Sequence, residues 1–96
     1  MISKITRLTG YSYWELLDKV QTSDSCIFLL PRITVDHADK ELRIPVGVIS
    51  YLFLAEEYDA NSTRYLLIDR HLGKRYKFYS LEELCFFIRD KENSLC

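Results

Sequence analysis

The chain has 96 residues, with 13 Lys and Arg against 14 Asp and Glu, for a formal net charge of -1. That length fits one domain and leaves no room for separate catalytic and regulatory units. The near-neutral balance excludes a general electrostatic drive toward nucleic acid, and equally a strongly acidic DNA mimic. Hydrophobic residues at 48% and charged residues at 28% support a packed core and argue against disorder. A domain of this size buries only about two-thirds of its unfolded surface, so stability is modest unless a partner or second copy adds buried area.

The three cysteines, Cys26, Cys85 and Cys96, are odd in number and widely spaced, unlike the dense, even set of small secreted frameworks. Residues 1–10 carry Lys4 and Arg7 but no continuous apolar stretch of the signal-peptide kind. The longest apolar run, residues 46–55, is interrupted by Gly47 and Ser50 and is too short to span a bilayer. The expectation is a cytoplasmic protein with reduced thiols and no membrane partner. Asn61-Ser62-Thr63 then reads as a turn rather than a glycosylation site.

In chain order, Ile2, Ile5 and Leu8 repeat every third residue and suggest a short helix or a strand, closed by Gly10. Tyr13, Leu16, Leu17 and Val20 follow the spacing of one helical face, with Ser12 and Glu15 as a capping box. Residues 21–25 are polar and read as a loop. Cys26-Ile27-Phe28-Leu29-Leu30 reads as a buried strand that ends or bends at Pro31. Ile33 and Val35, then Leu42, Ile44 and Val46, alternate with polar residues across a turn at 37–40, the pattern of a hairpin with one buried face. Residues 46–55 fit either a strand or a buried helix; Val48, Ile49, Tyr51 and Phe53 favour strand. Residues 56–63 read as a turn, 64–70 as a strand, 71–74 as a turn around Gly73, and 75–79 as the return strand. Ser80 and Glu83 cap a final helix whose apolar face is Leu81, Leu84, Cys85 and Ile88; residues 92–96 read as a frayed tail. The fold class expected is α+β in two layers: an N-terminal helix, an antiparallel meander sheet of about four to five strands, and a C-terminal helix packed on the sheet, in one domain over 1–96.

Motifs that carry chemistry are missing. Cys26, His37, His71, Cys85 and Cys96 form no close ligand pair, so no metal is expected, and Cys26 and Cys85 read as small core hydrophobes. Cys85, His71 and Asp69 can be written as a nucleophile set, but Cys85 falls on the apolar face of the last helix, where a thiol is inert. Glu56-Glu57 and Glu82-Glu83 are adjacent carboxylates, which point apart. Gly73-Lys74-Arg75 lacks the upstream glycine and the Ser or Thr of a phosphate-binding loop. The chain is therefore expected not to be an enzyme and to need no cofactor.

The most pointed feature is the hairpin at 64–79. Arg64, Arg70, Lys74, Arg75 and Lys77 oppose a single acid, Asp69, and Tyr65, Tyr76, Phe78 and Tyr79 are interleaved. In the return strand Arg75, Lys77 and Tyr79 share one face, and Tyr76 and Phe78 the other. Three readings follow: a solvated edge guarded by cations, a stacking platform for nucleic acid, or a contact surface for an acidic protein. The run Glu56-Glu57-Tyr58-Asp59 offers the opposite charge, either within the chain or head to tail. Ile49, Tyr51, Leu52 and Phe53 place apolar groups on both faces of one strand, so the second face meets either the first helical region or another chain, a homodimer included. Trp14, beside Tyr11 and Tyr13, reads as a core anchor or an interface hot spot. The function expected is a small protein-binding module, of the inhibitor, immunity or adaptor kind that bacteria and phages encode. It would act by steric blockade through Arg70, Lys74, Arg75, Tyr76, Lys77, Tyr79 and Trp14. The alternative is a nucleic-acid-binding regulator using the same hairpin.

Overall fold

The computed structural model describes residues 13–59 and 62–94, and the side chains of all of these except 57–59. The expectations for residues 1–12, including the Ile2, Ile5, Leu8 repeat and the Ser12 cap, and for Leu95 and Cys96 lie outside the described residues.

An α-helix, α1 (Tyr13–Gln21), leads into a 3-10 helix (Ile27–Arg32). Five strands follow: β1 (Thr34–Asp36), β2 (Glu41–Val46), β3 (Ile49–Asp59), β4 (Ser62–Asp69) and β5 (Lys74–Phe78). The helix α2 (Leu81–Ser94) closes the described chain. The sheet order is β1-β2-β3-β4-β5, with every neighbouring pair antiparallel, so the expected meander and two-layer α+β architecture are both present.

The register assigns each side chain to a face. Leu42 lies opposite Phe53, Phe53 opposite Leu67, and Leu67 opposite Tyr76, so these residues share one face. That face, with Ile44, Val46, Tyr51, Ala55, Tyr65 and Phe78, forms one core with Leu16 and Val20 of α1, Leu29 of the 3-10 helix, and Leu84 and Ile88 of α2. Each fully buried Leu, Ile or Phe there contributes about 1.5–3 kcal/mol. Both α-helices and the 3-10 helix therefore sit on the same side of the sheet. Leu52 and Leu66 are buried too, but they stand on the opposite face and outside this cluster.

Three segments differ from the sequence expectation. Residues 26–30 are not a strand: Cys26 is the N-cap of the 3-10 helix, which starts at Ile27 and runs through Pro31. A short apolar run has no periodicity to separate the two forms, and proline, which lacks a ladder donor, fits this helix better than a central strand. Residues 46–55 are not continuous: Val46 pairs with Ile49 across a two-residue loop, Gly47-Val48. Gly47 has φ 64°, and a glycine at the first loop position suits a II′ hairpin turn. The apolar Val48 at its fully exposed tip masked the break. Residues 56–63 are mostly strand rather than turn, since β3 runs to Asp59 and β4 starts at Ser62, with an irregularity in pairing between Glu57 and Asp59.

The last helix is also longer than expected and continues through Glu92 to Ser94. Glu92 is paired with Arg32 of the 3-10 helix, and Ser94 Oγ donates to the Asp90 carbonyl at 2.9 Å. At its start the predicted capping box forms: Glu83 N–H donates to Ser80 Oγ at 3.2 Å, and Tyr79 N–H donates to Glu83 Oε1 at 3.3 Å. The Cys26 and Cys85 side chains are buried as expected, but they are bonded to each other. The expectation of reduced thiols at these two positions is corrected accordingly. No sequence spacing forecasts a bridge between residues 59 apart. No described helix is long and apolar enough to cross a membrane.

Candidate partner-binding surface

The cationic hairpin is β4 and β5 with the turn at residues 70–73. The turn is held by Asp69, which is buried and whose Oδ1 accepts the N–H groups of His71 at 3.0 Å and Leu72 at 3.2 Å. Gly73 N–H donates to the Asp69 carbonyl at 2.7 Å, and Gly73 takes φ +73°. A Cβ there would meet nothing within 4 Å, so the requirement for glycine is conformational rather than one of space.

Alternation then sorts the hairpin. Tyr65, Tyr76 and Phe78 face the helices. Tyr76 is half-buried, 4.8 Å from the Phe87 ring and 6.1 Å from the Tyr51 ring, and Phe78 lies 5.3 Å from Phe87. Arg75, Lys77, Leu66 and Ile68 face the other way, because Leu66 pairs with Lys77 and Ile68 with Arg75. The predicted separation of cations and rings in the return strand is thus present. Its consequence is that Tyr76 cannot share a contact surface with Arg75 and Lys77. Tyr79, just past β5, is exposed and bonds through its phenol to Arg64.

The cations on this outer face fall into two groups. Arg43 Nη2 lies 3.0 Å from Glu41 Oε1, and Arg70 Nη2 lies 2.7 Å from Glu41 Oε2, so one carboxylate ties two guanidinium groups. Arg64 is paired with Glu56, whose side chain is only 7% exposed. That bond holds the Arg64 guanidinium above its already high ordinary range. The acidic run therefore pairs within the chain at Glu56. Arg75 and Lys77 are different: both are exposed, both lie on the edge strand, and neither forms an ion pair with a described residue. Lys74 is also exposed but stands on the helix-bearing face, opposite Asp69.

Trp14 belongs to a second surface. It is 54% exposed on α1, its ring 4.6 Å from Tyr13 and 5.8 Å from His37, which sits in the β1–β2 turn. The Tyr13 hydroxyl lies 3.4 Å from His37 Nδ1. The core-anchor reading of Trp14 does not hold at that exposure. Because β1 and β5 are opposite edges of a five-stranded sheet, this cluster lies about four strand spacings, roughly 19 Å, from β5. The residues predicted as one site are divided: Arg70, Arg75, Lys77 and Tyr79 lie on the outer face, Lys74 and Tyr76 on the helix-bearing face, and Trp14 near the far edge of the sheet.

The imagined nucleophile set is not assembled: the Cys85 sulfur is bonded to Cys26, Asp69 serves the turn, and His71 is exposed. Sequence reasoning missed a group of acids, Asp36, Asp39 and Glu41, whose carboxylates lie within 4.8 Å of one another. Asp36 Oδ1 accepts the Asp39 N–H at 3.0 Å, and Glu41 is bound to its arginines, so the group is accounted for by the turn and the ion pairs. A groove of about 540 Å³ runs along the outside of α2 beside Phe86, and one of about 430 Å³ lies against Trp14. Both are open to solvent and neither collects convergent polar groups of the kind that fix a small molecule.

The class defined by these features is a two-layer α+β domain with a cationic edge strand. No family model matches the chain, and no curated protein or solved structure is detectably similar to it.

Proposed function

We propose that the protein is a non-catalytic protein-binding module whose contact surface is the outer face of β4–β5, centred on Arg75 and Lys77. The observation that supports it is the contrast among its cations. Arg43, Arg64 and Arg70 are each ion-paired, to Glu41 or Glu56, whereas Arg75 and Lys77 stand exposed on an edge strand with no ion pair to a described residue. Such a pair, beside the rim ring of Tyr79, suits an acidic protein surface, and binding there would block the partner sterically. The nucleic-acid reading draws less support, because Tyr65, Tyr76 and Phe78 are turned toward the helices and only Tyr79 is left beside the cations to stack on a base. Bacterial or phage origin, and a cytoplasmic site of action, remain part of the proposal. A Cys26–Cys85 bond that persists in cells would argue against the cytoplasm.

The test is a tagged pull-down from host lysate with the parent chain and the Arg75→Glu/Lys77→Glu double variant. Charge reversal at exposed strand positions should change stability by no more than about 0.5 kcal/mol. One stoichiometric protein recovered by the parent and lost by the variant is the expected result. Equal recovery by both would place the contact elsewhere. Co-purified nucleic acid that leaves at high salt would favour the regulator instead.

A further inference from the structure

The sheet ends in two unlike edges. β1, at one end, has only three residues, Thr34–Asp36. β5, at the other, has five, Lys74–Phe78, and runs for roughly 17 Å. Among the described residues no strand pairs with the far side of β5, and Lys74, Arg75 and Lys77 are exposed along it. Its register with β4 is unbroken from Lys74 to Phe78, and it holds no proline, so neither a bulge nor a missing donor blunts it. Such an edge presents backbone N–H and C=O groups that a further extended chain can satisfy.

The side chains define what that chain must carry. On the outer face Arg75 and Lys77 stand beside the apolar Ile68 and Leu66 of β4, and neither has an ion pair with a described residue. On the helix-bearing face Tyr76 and Phe87 are half-buried, their rings 4.8 Å apart, and part of each ring is left uncovered. A strand added here alternates between these faces residue by residue. A second copy does not fit. Pairing β5 with β5 brings the Arg75 and Lys77 of both chains together, and like charges directly opposite in a sheet are destabilising. The pair that guards this edge against self-association therefore selects an acid.

We infer that the partner is held by strand addition: an extended segment of a partner protein, alternating acidic and apolar residues, joins the sheet along β5, with its carboxylates on Arg75 and Lys77 and its apolar side chains beside Tyr76 and Phe87. This rests on the partner-binding reading above and names how that surface is engaged. Main-chain hydrogen bonds supply the affinity, and the cations and rings supply the sequence preference.

Titration of the isotope-labelled full chain by NMR at low salt tests this, with a synthetic peptide of about six residues alternating Glu and Val. Along an extended chain the N–H groups of successive residues point to opposite edges, so N-methylating the Glu residues blocks one edge of the peptide and N-methylating the Val residues blocks the other. The expected amide shifts fall on residues 74–78 and their β4 neighbours. One methylated peptide should bind like the parent and the other at least about tenfold more weakly. A Lys–Val peptide should not bind. Equal affinities for the two methylated peptides, shifts that map away from β5, or no binding of the Glu–Val peptide would overturn strand addition. Equal binding of the Lys–Val peptide, or undiminished binding of the Glu–Val peptide by the Arg75→Glu/Lys77→Glu variant, would overturn the acidic segment. A Glu–Val peptide that binds at the cations whichever edge is methylated overturns the inference yet leaves the proposed contact surface standing, because the pull-down reads whether a partner is held there and not how.

Discussion

Tyr51 shows how one side chain couples the core to pH. It is 1% exposed in the middle of the sheet, edge-on to Tyr76 and Phe87. Burial, with Tyr76 and Asp69 adding to it, holds its phenol above the usual tyrosine range. The folded state therefore binds this proton more tightly than the unfolded chain. The resulting stability is complete below about pH 10 and is lost as pH rises through the raised folded value. Tyr51→Phe should flatten the fall in urea midpoint above about pH 10; parallel slopes for both proteins would show that this phenol is not the titrating group. The Arg64–Glu56 pair makes a second case. Glu56 is nearly buried, so removing the Arg64 cation strands a carboxylate. Arg64→Leu should cost about 3 kcal/mol in urea unfolding, and the Glu56→Leu/Arg64→Leu double variant less than that. Arg70 is half-exposed, and Arg70→Ala should cost less than about 1 kcal/mol by the same measurement. The two arginines look alike in the sequence. What separates them is the burial of the carboxylate each one meets, a property of the fold.

At the scale of elements, local chemistry was legible wherever it was self-contained. Ser80 and Glu83 announce the start of α2, and both hydrogen bonds of that cap form. Ser80→Ala should therefore lower stability by about 1 kcal/mol, with the helix end fraying first in amide exchange. Unchanged exchange at residues 81–84 would show that tertiary contacts alone hold the end. The turn at Gly73 and the alternation of β2, β4 and β5 were equally readable, because φ and period are set residue by residue. The 3-10 helix was not readable. Ile27–Arg32 is apolar, short and interrupted by Pro31, and its form is fixed by what it touches. Cys26 is bonded to Cys85, Arg32 is paired with Glu92, and Arg89 stacks on Phe28 at 4.1 Å. All three contacts reach α2, more than fifty residues along the chain.

For the whole molecule, that bridge is the main long-range tie. Cross-linking residues 59 apart removes loop entropy from the unfolded chain worth about 4 kcal/mol. A domain of this size has only about 5–15 kcal/mol in total, so reduction should lower the thermal midpoint by well over ten degrees. Calorimetry with and without reductant, with intact mass confirming the loss or gain of two hydrogens, checks this. Superimposable transitions would show that the bond contributes nothing to folding. The same bond divides the molecule functionally. It fixes α2 and the 3-10 helix to the core face, leaving the outer face to Arg75, Lys77 and the apolar cluster around Leu66.

The sequence by itself determined the α+β class, the strand alternation, the capped final helix, and the segregation of Arg75 and Lys77 from Tyr76 and Phe78. Each of these follows from nearest-neighbour geometry: a period of two, a period of 3.6, or a cap. Tertiary structure alone decided that Trp14 and the cationic strand lie on opposite edges, that Cys26 meets Cys85, and that Arg64 is committed while Arg75 is exposed. Those outcomes depend on which distant residues the folded sheet brings opposite one another, and spacing along a chain carries no record of that.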